Sequence, residues 1–420
     1  TDNVISCGSF TTDGSGSATI TLGYEPQWVL IKNTSDTTNN NTFDSWQIFD
    51  SMRGWTNQYP YSSDATLRAN LSNAEYTDSW GYPTATGFTY QNGWASSSYI
   101  YIVIRRPMKP PTSGTGVFQS LTRTGTGALA TVTNSNINYV DFAFSKMTNN
   151  TAAAAEVDRL RGNGYMLYPA YTDGEANPTG YPKLDLMKGY QTDSVQNFNQ
   201  SSSSFVNYLF KRASTFFDVV CYTGTGSATT QAHNLGVVPE FMIVKKRSGL
   251  DAWAVYSSAV GNTKALELNT TAAPDTWIHY WNNTTPTSSV FTVGAGSPVN
   301  QSAQTYVAYL FATVAGVSKV GSYTGTGGTQ TINCGFGASG ARFVLIKRTD
   351  STGNWYYFDT SRGFTSSSSP YLIMNNDNTQ VTGNNGCYAS STGFNLTSNA
   401  SATVNICLLY TSPSPRDATL

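Results

Sequence analysis

Phe343-Val344-Leu345-Ile346-Lys347 is a nearly continuous apolar run that ends in a lysine, and copies of it recur along the chain. The copies are Trp28-Val29-Leu30-Ile31-Lys32, Phe241-Met242-Ile243-Val244-Lys245 and, less closely, Phe142-Ala143-Phe144-Ser145-Lys146. A short run of this kind predicts a central β-strand that is covered on both faces. Its recurrence predicts a chain built from repeated units.

Two further motifs recur with the same spacing of about 100 residues. Thr-Gly-Thr-Gly occurs at 124–127, 223–226 and 324–327, and Tyr208-Leu209-Phe210 returns as Tyr309-Leu310-Phe311. Several anchors in one order at one period predict four units. Their expected ranges are 1–106, a divergent second unit at 117–215, a third at 216–316, and a truncated fourth at 317–410.

The junctions between these units differ in composition. Residues 107–116 are rich in proline and glycine, which stiffen a segment and remove strand donors, so they predict a linker. The junctions near residues 216 and 317 are short. We therefore expect the second, third and fourth units to pack against one another.

The composition favours an all-β fold. Aromatic residues make up 13% of the chain and charged residues only 12%, while glycine, serine, threonine and asparagine are abundant. Strand signals every 8–14 residues or so, separated by turn residues, are typical of β-sandwiches. We predict a tandem array of about four antiparallel, jelly-roll-like β-sandwich domains of ~100 residues each.

Several partner classes are disfavoured by the same sequence. The formal net charge is −1 and basic residues occur in short clusters, whereas nucleic-acid binding needs a basic stripe. No apolar stretch reaches the ~18 residues that a membrane-spanning helix needs. Five scattered cysteines are too few for a disulfide framework or a zinc site. We therefore expect no nucleic-acid partner and no membrane insertion.

The most conspicuous polar motif is Asp-x-x-Arg-Gly, which occurs in the first, second and fourth units. An aspartate at a strand exit caps a turn, an arginine three residues later pairs with it, and glycine adopts the positive φ. The motif predicts structural turn clamps at Asp50 and Arg53, Asp158 and Arg161, and Asp359 and Arg362. The alternative is that these pairs bind sugar hydroxyls. The third unit has neither charge, with Ser257 and Val260 instead.

Catalytic and metal-binding patterns are weak. Only His233 and His279 are available as histidines, and no nucleophile-elbow motif accompanies them. The glutamates do not recur consistently between units, which disfavours a repeated pair of catalytic carboxylates. We expect a non-enzymatic protein with no catalytic residues, no bound cofactor and no metal site.

Clustered aromatic residues are the better candidates for ligand or partner contact, because exposed rings stack on sugar faces and anchor interfaces. The alternative is that the same rings pack in cores or between domains. The candidates are Trp46, Trp55, Trp80, Trp94, Trp277, Tyr280 and Trp281.

These motifs together resemble a known family. The aromatic-Thr-Gly-Thr-Gly opening, Gln330-Thr331-Ile332, the run ending in lysine, Phe-Asp-x-x-Arg-Gly and Tyr306-Val307-Ala308-Tyr309 resemble a repeat domain of unknown function from tail and virion structural proteins of marine bacteriophages. The resemblance spans nearly the whole chain and is strongest outside the second unit. It implies a location in the virion and no catalytic residues.

The end of the sequence has a separate resemblance. Residues 408–417 are similar to the translation of a sequencing adapter, which is typical of a metagenomic fragment. We therefore expect residues 411–420 to be disordered and artefactual, with the last strand of the fourth unit cut near Ile406-Cys407. A natural Ser-Pro tail is the alternative.

Two functions follow from this reading. The first is a virion structural protein of a tail or tail fibre that contacts other virion proteins and contributes to host-surface glycan binding, with homo-oligomerisation left open. The second is a secreted bacterial multi-domain protein that binds or degrades glycans.

Overall fold

The structure is a computed structural model that describes residues 4–35, 45–57, 64–177, 182–184, 186–337, 340–400, 404–405 and 408–412. Within these ranges strands dominate and all of their pairings are antiparallel, and each α-helix has four residues. Each sheet draws its strands from one of four successive stretches of the chain. The predicted all-β class with antiparallel sandwich sheets is confirmed.

The first unit has two sheets. Their order is β1-β9-β3-β4-β5-β6 in the larger sheet and β2-β8-β7 in the smaller one, once the strands are numbered along the chain as follows. They are β1 (Ile5–Thr11), β2 (Ala18–Thr21), β3 (Pro26–Asn33), β4 (Gln47–Asp50), β5 (Asp64–Arg68), β6 (Tyr76–Asp78), β7 (Gly81–Thr84), β8 (Gly87–Tyr90) and β9 (Ser98–Arg105).

The second unit repeats this plan with fewer strands. They are β10 (Phe118–Thr124), β11 (Ala130–Thr133), β12 (Phe142–Met147), β13 (Ala155–Asp158), β14 (Gly189–Thr192) and β15 (Ser204–Phe210), with helix α1 (Gln196–Asn199) before β15. The larger sheet has the order β10-β15-β12-β13, and β11 pairs with β14.

The third unit contains eight strands and two short helices. They are β16 (Phe217–Thr223), β17 (Thr229–Ala232), β18 (Phe241–Lys246), β19 (Ala254–Ser257), β20 (Lys264–Glu267), β21 (Asp275–Thr276), α2 (Ile278–Trp281), β22 (Val290–Val293), α3 (Ser297–Asn300) and β23 (Thr305–Phe311). The sheets are ordered β16-β23-β18-β19-β20-β21 and β17-β22.

The fourth unit follows the same order. Its strands are β24 (Lys319–Tyr323), β25 (Gln330–Asn333), β26 (Phe343–Arg348), β27 (Trp355–Asp359), β28 (Leu372–Ile373), β29 (Cys387–Ala389), β30 (Gly393–Leu396) and β31 (Leu408–Ser412), and a 3₁₀ turn spans Thr360–Arg362. The sheets are ordered β24-β31-β26-β27-β28 and β25-β30-β29.

All four larger sheets share one rule: the last strand of the unit lies between its first strand and the strand that ends in lysine. In the second, third and fourth units the Thr-Gly-Thr-Gly turn follows the first strand and leads to the second. Its second glycine has φ of +68° at Gly127, +76° at Gly226 and +70° at Gly327, a conformation that side chains with a Cβ rarely adopt. This explains why the motif recurs with its glycines.

The expectation for residues 411–420 is corrected in part. Thr411 and Ser412 end β31, which pairs on one side with β24 and on the other with β26. The physical reason is that β24 and β26 each present unpaired backbone groups, and an extended segment between them satisfies both ladders whatever its side chains. Residues 413–420 lie outside the described residues.

The central strands bury their inner face in the sandwich of their own unit, and in the third and fourth units they bury the outer face as well. Val29 and Ile31 point into the sandwich of the first unit, whereas Phe241, Phe343 and Leu345 point out of their own sandwiches. The outward residues nevertheless have exposures of only 2–6%. They belong to one apolar cluster whose members come from the second, third and fourth units. These three units therefore share a core.

The first unit joins this assembly through a buried ionic network. The two terminal nitrogens of the Arg212 guanidinium donate hydrogen bonds to the Glu25 carboxylate, at 2.9 and 2.5 Å. Arg212 also donates to Asp218. Arg106 donates to Asp141 at 2.7 Å. All of these side chains are at most 6% exposed. The first unit is thus docked at the junction of the second and third units, although residues 107–116 form no strand.

Candidate functional site

In the second, third and fourth units the lysine near the end of the central strand joins two units. Lys245 donates to the carbonyl of Asp251 in its own hairpin at 2.8 Å and to Thr172 of the second unit at 2.7 Å. Lys347 donates to Gly353 at 2.5 Å and to Thr271 of the third unit at 2.9 Å. In both cases the lysine is buried. Each lysine therefore fixes its hairpin to a loop of the preceding unit.

The second unit completes the cycle, because Lys146 donates to Ala152 in its own hairpin and to Asp377 of the fourth unit, the latter at 3.0 Å. The contacts thus run from the third unit to the second, from the second to the fourth, and from the fourth to the third. Backbone hydrogen bonds accompany each step: Asp251 to Thr172, Ala152 to Asp377 and Gly353 to Thr271. Three repeats therefore form a closed ring with pseudo-threefold symmetry.

Burial changes the protonation of these lysines. It lowers the pKa of Lys146, Lys245 and Lys347 from 10.5 to about 8 in each case, because desolvation disfavours the charged ammonium. The carbonyl acceptors retain a partner in either protonation state, since a neutral amine still donates hydrogen bonds. The three lysines are therefore structural donors of the ring.

The Asp-x-x-Arg-Gly motifs lie at strand exits, and those of the second and fourth units face the ring interfaces. Asp359 accepts from the backbone N–H of Arg362 at 3.1 Å and from its Nε at 2.5 Å, and Gly363 has φ of +103°. Asp158 and Arg161 form the same pair and are fully buried. Asp50 and Arg53 form it at 2.6 Å with 16% and 23% exposure. The structure thus places all three pairs as turn clamps.

A tyrosine from the neighbouring unit reaches two of these clamps. Tyr208 of the second unit donates to Oδ2 of Asp359 at 2.6 Å, and the Tyr309 hydroxyl lies 2.8 Å from Oδ2 of Asp158. Both tyrosines occupy the same register position in the last strand of their unit. The third unit has Ser257 in place of the aspartate, so its interface with the fourth unit cannot repeat this bond.

The interface between the third and second units concentrates charge. Glu156, Asp158 and Glu175 surround two guanidinium groups, those of Arg161 and Arg247. Burial raises the pKa of Glu156 from 4.5 to about 8, which makes it largely protonated at neutral pH. The Tyr309 hydroxyl of the third unit lies 2.8 Å from a carboxyl oxygen of Glu156 and 2.8 Å from one of Asp158.

A small apolar cavity of about 70 Å³ lies where the three units meet. Phe144 of the second unit, Ile243 of the third and Leu345 of the fourth contribute to its wall, and Glu156 is the ionisable residue with a carboxyl group among those that line it. An apolar cavity of this kind excludes water. It completes the shared core and offers few polar groups to orient a ligand.

A polar groove of about 360 Å³ opens between the second and fourth units. Hydroxyl, amide and guanidinium groups line it together with one aromatic ring. The residues are Thr122, Arg123, Thr124, Thr148, Ser204, Phe205, Arg362 and Gln380. The equivalent place between the third and second units is filled, because Arg247 there binds Glu175 and Asn57 of the first unit. The polar groups between the second and fourth units therefore lie in an open groove.

The aromatic candidates occupy mostly internal positions. Trp55, Trp80, Tyr280 and Trp281 are 1–6% exposed and pack in the sandwich cores, so the reading of these four as ligand contacts is wrong. Burial of their large apolar rings supplies much of each small core. Trp46 and Trp277 are half-buried, and Trp94 is 46% exposed.

The two histidines lie in different environments, because His233 is buried and His279 is exposed. His233 is buried, accepts from the backbone N–H of Leu235 at Nδ1 and contacts the Thr287 carbonyl through Nε2, and burial lowers its pKa. It is therefore a satisfied neutral histidine rather than a surface residue. His279 is exposed. Among the residues that the structure describes, no three His, Cys, Asp or Glu side chains form a potential metal site.

No helix in the described ranges is long and apolar enough to cross a membrane. The four cysteines that the structure describes are free thiols, and Cys7 is the exposed one among them.

Sequence reasoning missed the lysines and tyrosines that join the units. Their signal was present, because the lysine ends every copy of the central strand and Tyr-Leu-Phe recurs in two last strands. The motifs were read as properties of single units. Their contacts lie between units that are about 100 residues apart, and a repeat pattern does not reveal which unit touches which.

Comparison with known proteins places most of the chain in one family. A family profile described as a domain of unknown function, DUF7483, matches residues 113–407. The matched range includes the second and third units and most of the fourth, and it leaves out the first unit. No curated protein matches the chain.

Proposed function

We propose that this chain, which belongs to the DUF7483 family, is a non-enzymatic structural component of a bacteriophage virion, in its tail or tail fibre. The observation that carries the proposal is the closed ring of three units. Every step around the ring is made by a buried lysine and a backbone hydrogen bond of the same kind. Such a ring resists separation of its units, because no unit can leave without breaking two interfaces.

The polar motifs support a structural rather than a chemical role for the residues concerned. In the second and fourth units the aspartate and arginine of the clamp are at most 2% exposed and bind each other. Two of the aspartates also bind a tyrosine of a neighbouring unit. A group that is buried and saturated in this way cannot approach a substrate without disrupting the ring.

The polar groove between the second and fourth units is our candidate surface for host glycans. Glycans are recognised by hydroxyl, amide and guanidinium groups, and the groove combines Thr148, Gln380 and Arg123. It replaces the buried tryptophans as the site to test. The secreted bacterial protein remains the alternative function, and it shares this surface.

Particle labelling tests the virion assignment. An antibody raised against residues 113–407 is expected to label purified phage particles from a host culture that carries the full gene, as seen by immunogold electron microscopy. Label on the culture supernatant or the cell envelope, with unlabelled particles, would establish the secreted alternative. Release of oligosaccharides from a polysaccharide by the purified chain would show that the protein is an enzyme.

A glycan array tests the groove. The wild-type chain is expected to bind a subset of bacterial surface glycans, and Thr148→Arg, which fills the groove, is expected to abolish binding. Thr229→Arg is the matched control, because Thr229 lies on β17 of the third unit and outside the residues that line the groove. Equal binding by the two variants would exclude the groove as the glycan site.

A further inference from the structure

The outer face of the first unit differs from the same face in the ring. The last strand of the first unit alternates strictly, with Tyr99 and Val103 buried and Ile100, Ile102 and Ile104 exposed. The last strands of the second and third units are buried on both faces over nearly their whole length. The outer face of the last strand is therefore buried in the second and third units, whereas in the first unit the same face is exposed.

Strand register identifies equivalent positions. Ile104 pairs with Trp28 in the central strand of the first unit, as Phe210 pairs with Phe142 in the second and Phe311 with Phe241 in the third. Ile102 is therefore equivalent to Tyr208 and Tyr309. Ile100 is equivalent to Val206 and Val307. All of these ring residues belong to the shared apolar core.

The exposed isoleucines form a coherent apolar face. Ile100, Ile102 and Ile104 are 39–40% exposed, and Ile5 on the adjacent strand β1, which pairs with Ile104, is 43% exposed. The half-buried Trp28 and Leu30 continue the face on β3, which is hydrogen-bonded to β9. Contiguous exposed apolar surface of this kind marks an interaction site. Its positions are those through which the other three units bind one another.

We propose that the first units of three chains close around a threefold axis through this face, so that the protein is a homotrimer. The occupant of the face is a second copy of the same unit, because repeats with the same strand order cover the same face in the ring within one chain. Contacts in that ring run head to tail, from one edge of a sheet to the strand exit of the next. A head-to-tail contact repeated by identical units closes into a ring when its rotation is 120°, as the pseudo-threefold ring already demonstrates.

The equivalence between positions in the first unit and positions in the ring predicts which residues of neighbouring chains are in contact. In the ring Phe217 and Tyr309 of the third unit pack against Phe142 of the second, with centroid distances of 5.8 and 5.0 Å. Ile5 and Ile102 of one copy are therefore expected against Trp28 of the next. In the same way the hydroxyls of Ser120 and Ser361 lie 2.6 Å apart between the second and fourth units. Their equivalents are Cys7 of one copy and Met52 of the next.

Solution mass tests the stoichiometry. The full chain is expected to sediment at three times its 45.3 kDa at micromolar concentration. Ile102→Lys is expected to give the single-chain mass with an unchanged far-UV circular dichroism spectrum, because Ile102 is exposed within one chain and is not needed for its fold. Leu129→Lys, at a residue that is 67% exposed on the second unit, is the matched control and should remain trimeric. A monomeric or dimeric wild type, or a trimeric Ile102→Lys, would overturn the proposal.

Disulfide cross-linking tests the face directly. Met52→Cys is expected to oxidise with the exposed Cys7 of a neighbouring copy and to give a covalent trimer on a non-reducing gel. Within one chain the two positions are three strand spacings apart, roughly 14 Å, which is too far for a disulfide. Met52→Cys combined with Cys7→Ser is the control and should give no cross-link. A trimer in solution without this cross-link, or a cross-linked dimer alone, would show that another face is used.

Discussion

The hydroxyl of Tyr309 in the third unit lies 2.8 Å from Oδ2 of Asp158, the residue that holds the strand-exit turn of the second unit. A turn motif of one repeat is thereby part of the interface with the next. Tyr208 and Asp359 repeat the relationship between the second and fourth units. The clamps thus stabilise two levels of structure, the turn itself and the ring.

Removing one of these hydroxyls should weaken the ring. Tyr309→Phe leaves the apolar packing in place but deprives buried Asp158 of a donor, so we expect a loss of about 1–3 kcal/mol in the free energy of unfolding. Urea denaturation measures this. Tyr388→Phe, at a residue on β29 in the smaller sheet of the fourth unit, is the control and should change little. Equal effects of the two substitutions would show that the Tyr309 bond contributes nothing.

The shared core should be sensitive to truncation. Leu345 is 6% exposed and faces the other units of the ring, so Leu345→Ala is expected to cost about 2–5 kcal/mol. Leu250→Ala, at a residue that is 68% exposed, should be within experimental error of the wild type. Thermal and urea denaturation report both. A shift below the noise for Leu345→Ala would contradict the position of this strand in the ring core.

The buried clamp of the fourth unit should contribute more to the free energy of unfolding than the partly exposed clamp of the first unit. Asp359→Asn and Arg362→Met each remove one partner of a pair that is at most 2% exposed, and we expect losses of about 3–5 kcal/mol. The same changes at Asp50 and Arg53, which are 16% and 23% exposed, should cost about 0–1 kcal/mol. Double-mutant cycles at both sites provide the measurement. Unchanged stability at Asp359 together with lost glycan binding would instead identify a recognition site.

Stability should depend on pH through Glu156. Burial raises its pKa from 4.5 to about 8, so between these values the folded protein binds more protons than the unfolded chain. This contribution is fully present below pH 4.5 and is lost as the pH rises through about 8. In Glu156→Gln the side chain stays neutral, so the variant should gain stability relative to the wild type from pH 5 to pH 8. Urea denaturation across this range tests the sign, and a constant difference would show that Glu156 does not titrate there.

The chain alone predicted the class of fold. Alternating and continuous apolar runs, such as Phe343–Ile346, depend on local side-chain pattern, and that pattern follows directly from the two-residue period of a strand. The turn clamps could be predicted for the same reason, because Asp359 and Arg362 are three residues apart and meet whenever the strand ends there.

Burial of individual aromatic residues could not be predicted. Trp55 and Trp281 resemble exposed binding residues in their composition and spacing, but they lie in sandwich cores. Their side-chain direction depends on register within a sheet, where a shift by one residue reverses the face. Thr411 and Ser412 were expected to be unpaired for want of apolar neighbours, whereas two open ladders accept any extended backbone.

The sequence by itself determined which stretches form strands and where the local turns lie, because both follow from residues that are close along the chain. Only the tertiary structure decided that Lys245 reaches the second unit and Lys347 the third, and that Ile102 faces solvent where Tyr309 faces a neighbour. The same strand pattern is compatible with a free unit and with a member of a ring. The choice between them depends on apolar surface that several units bury together, and that surface exists only once each unit has folded.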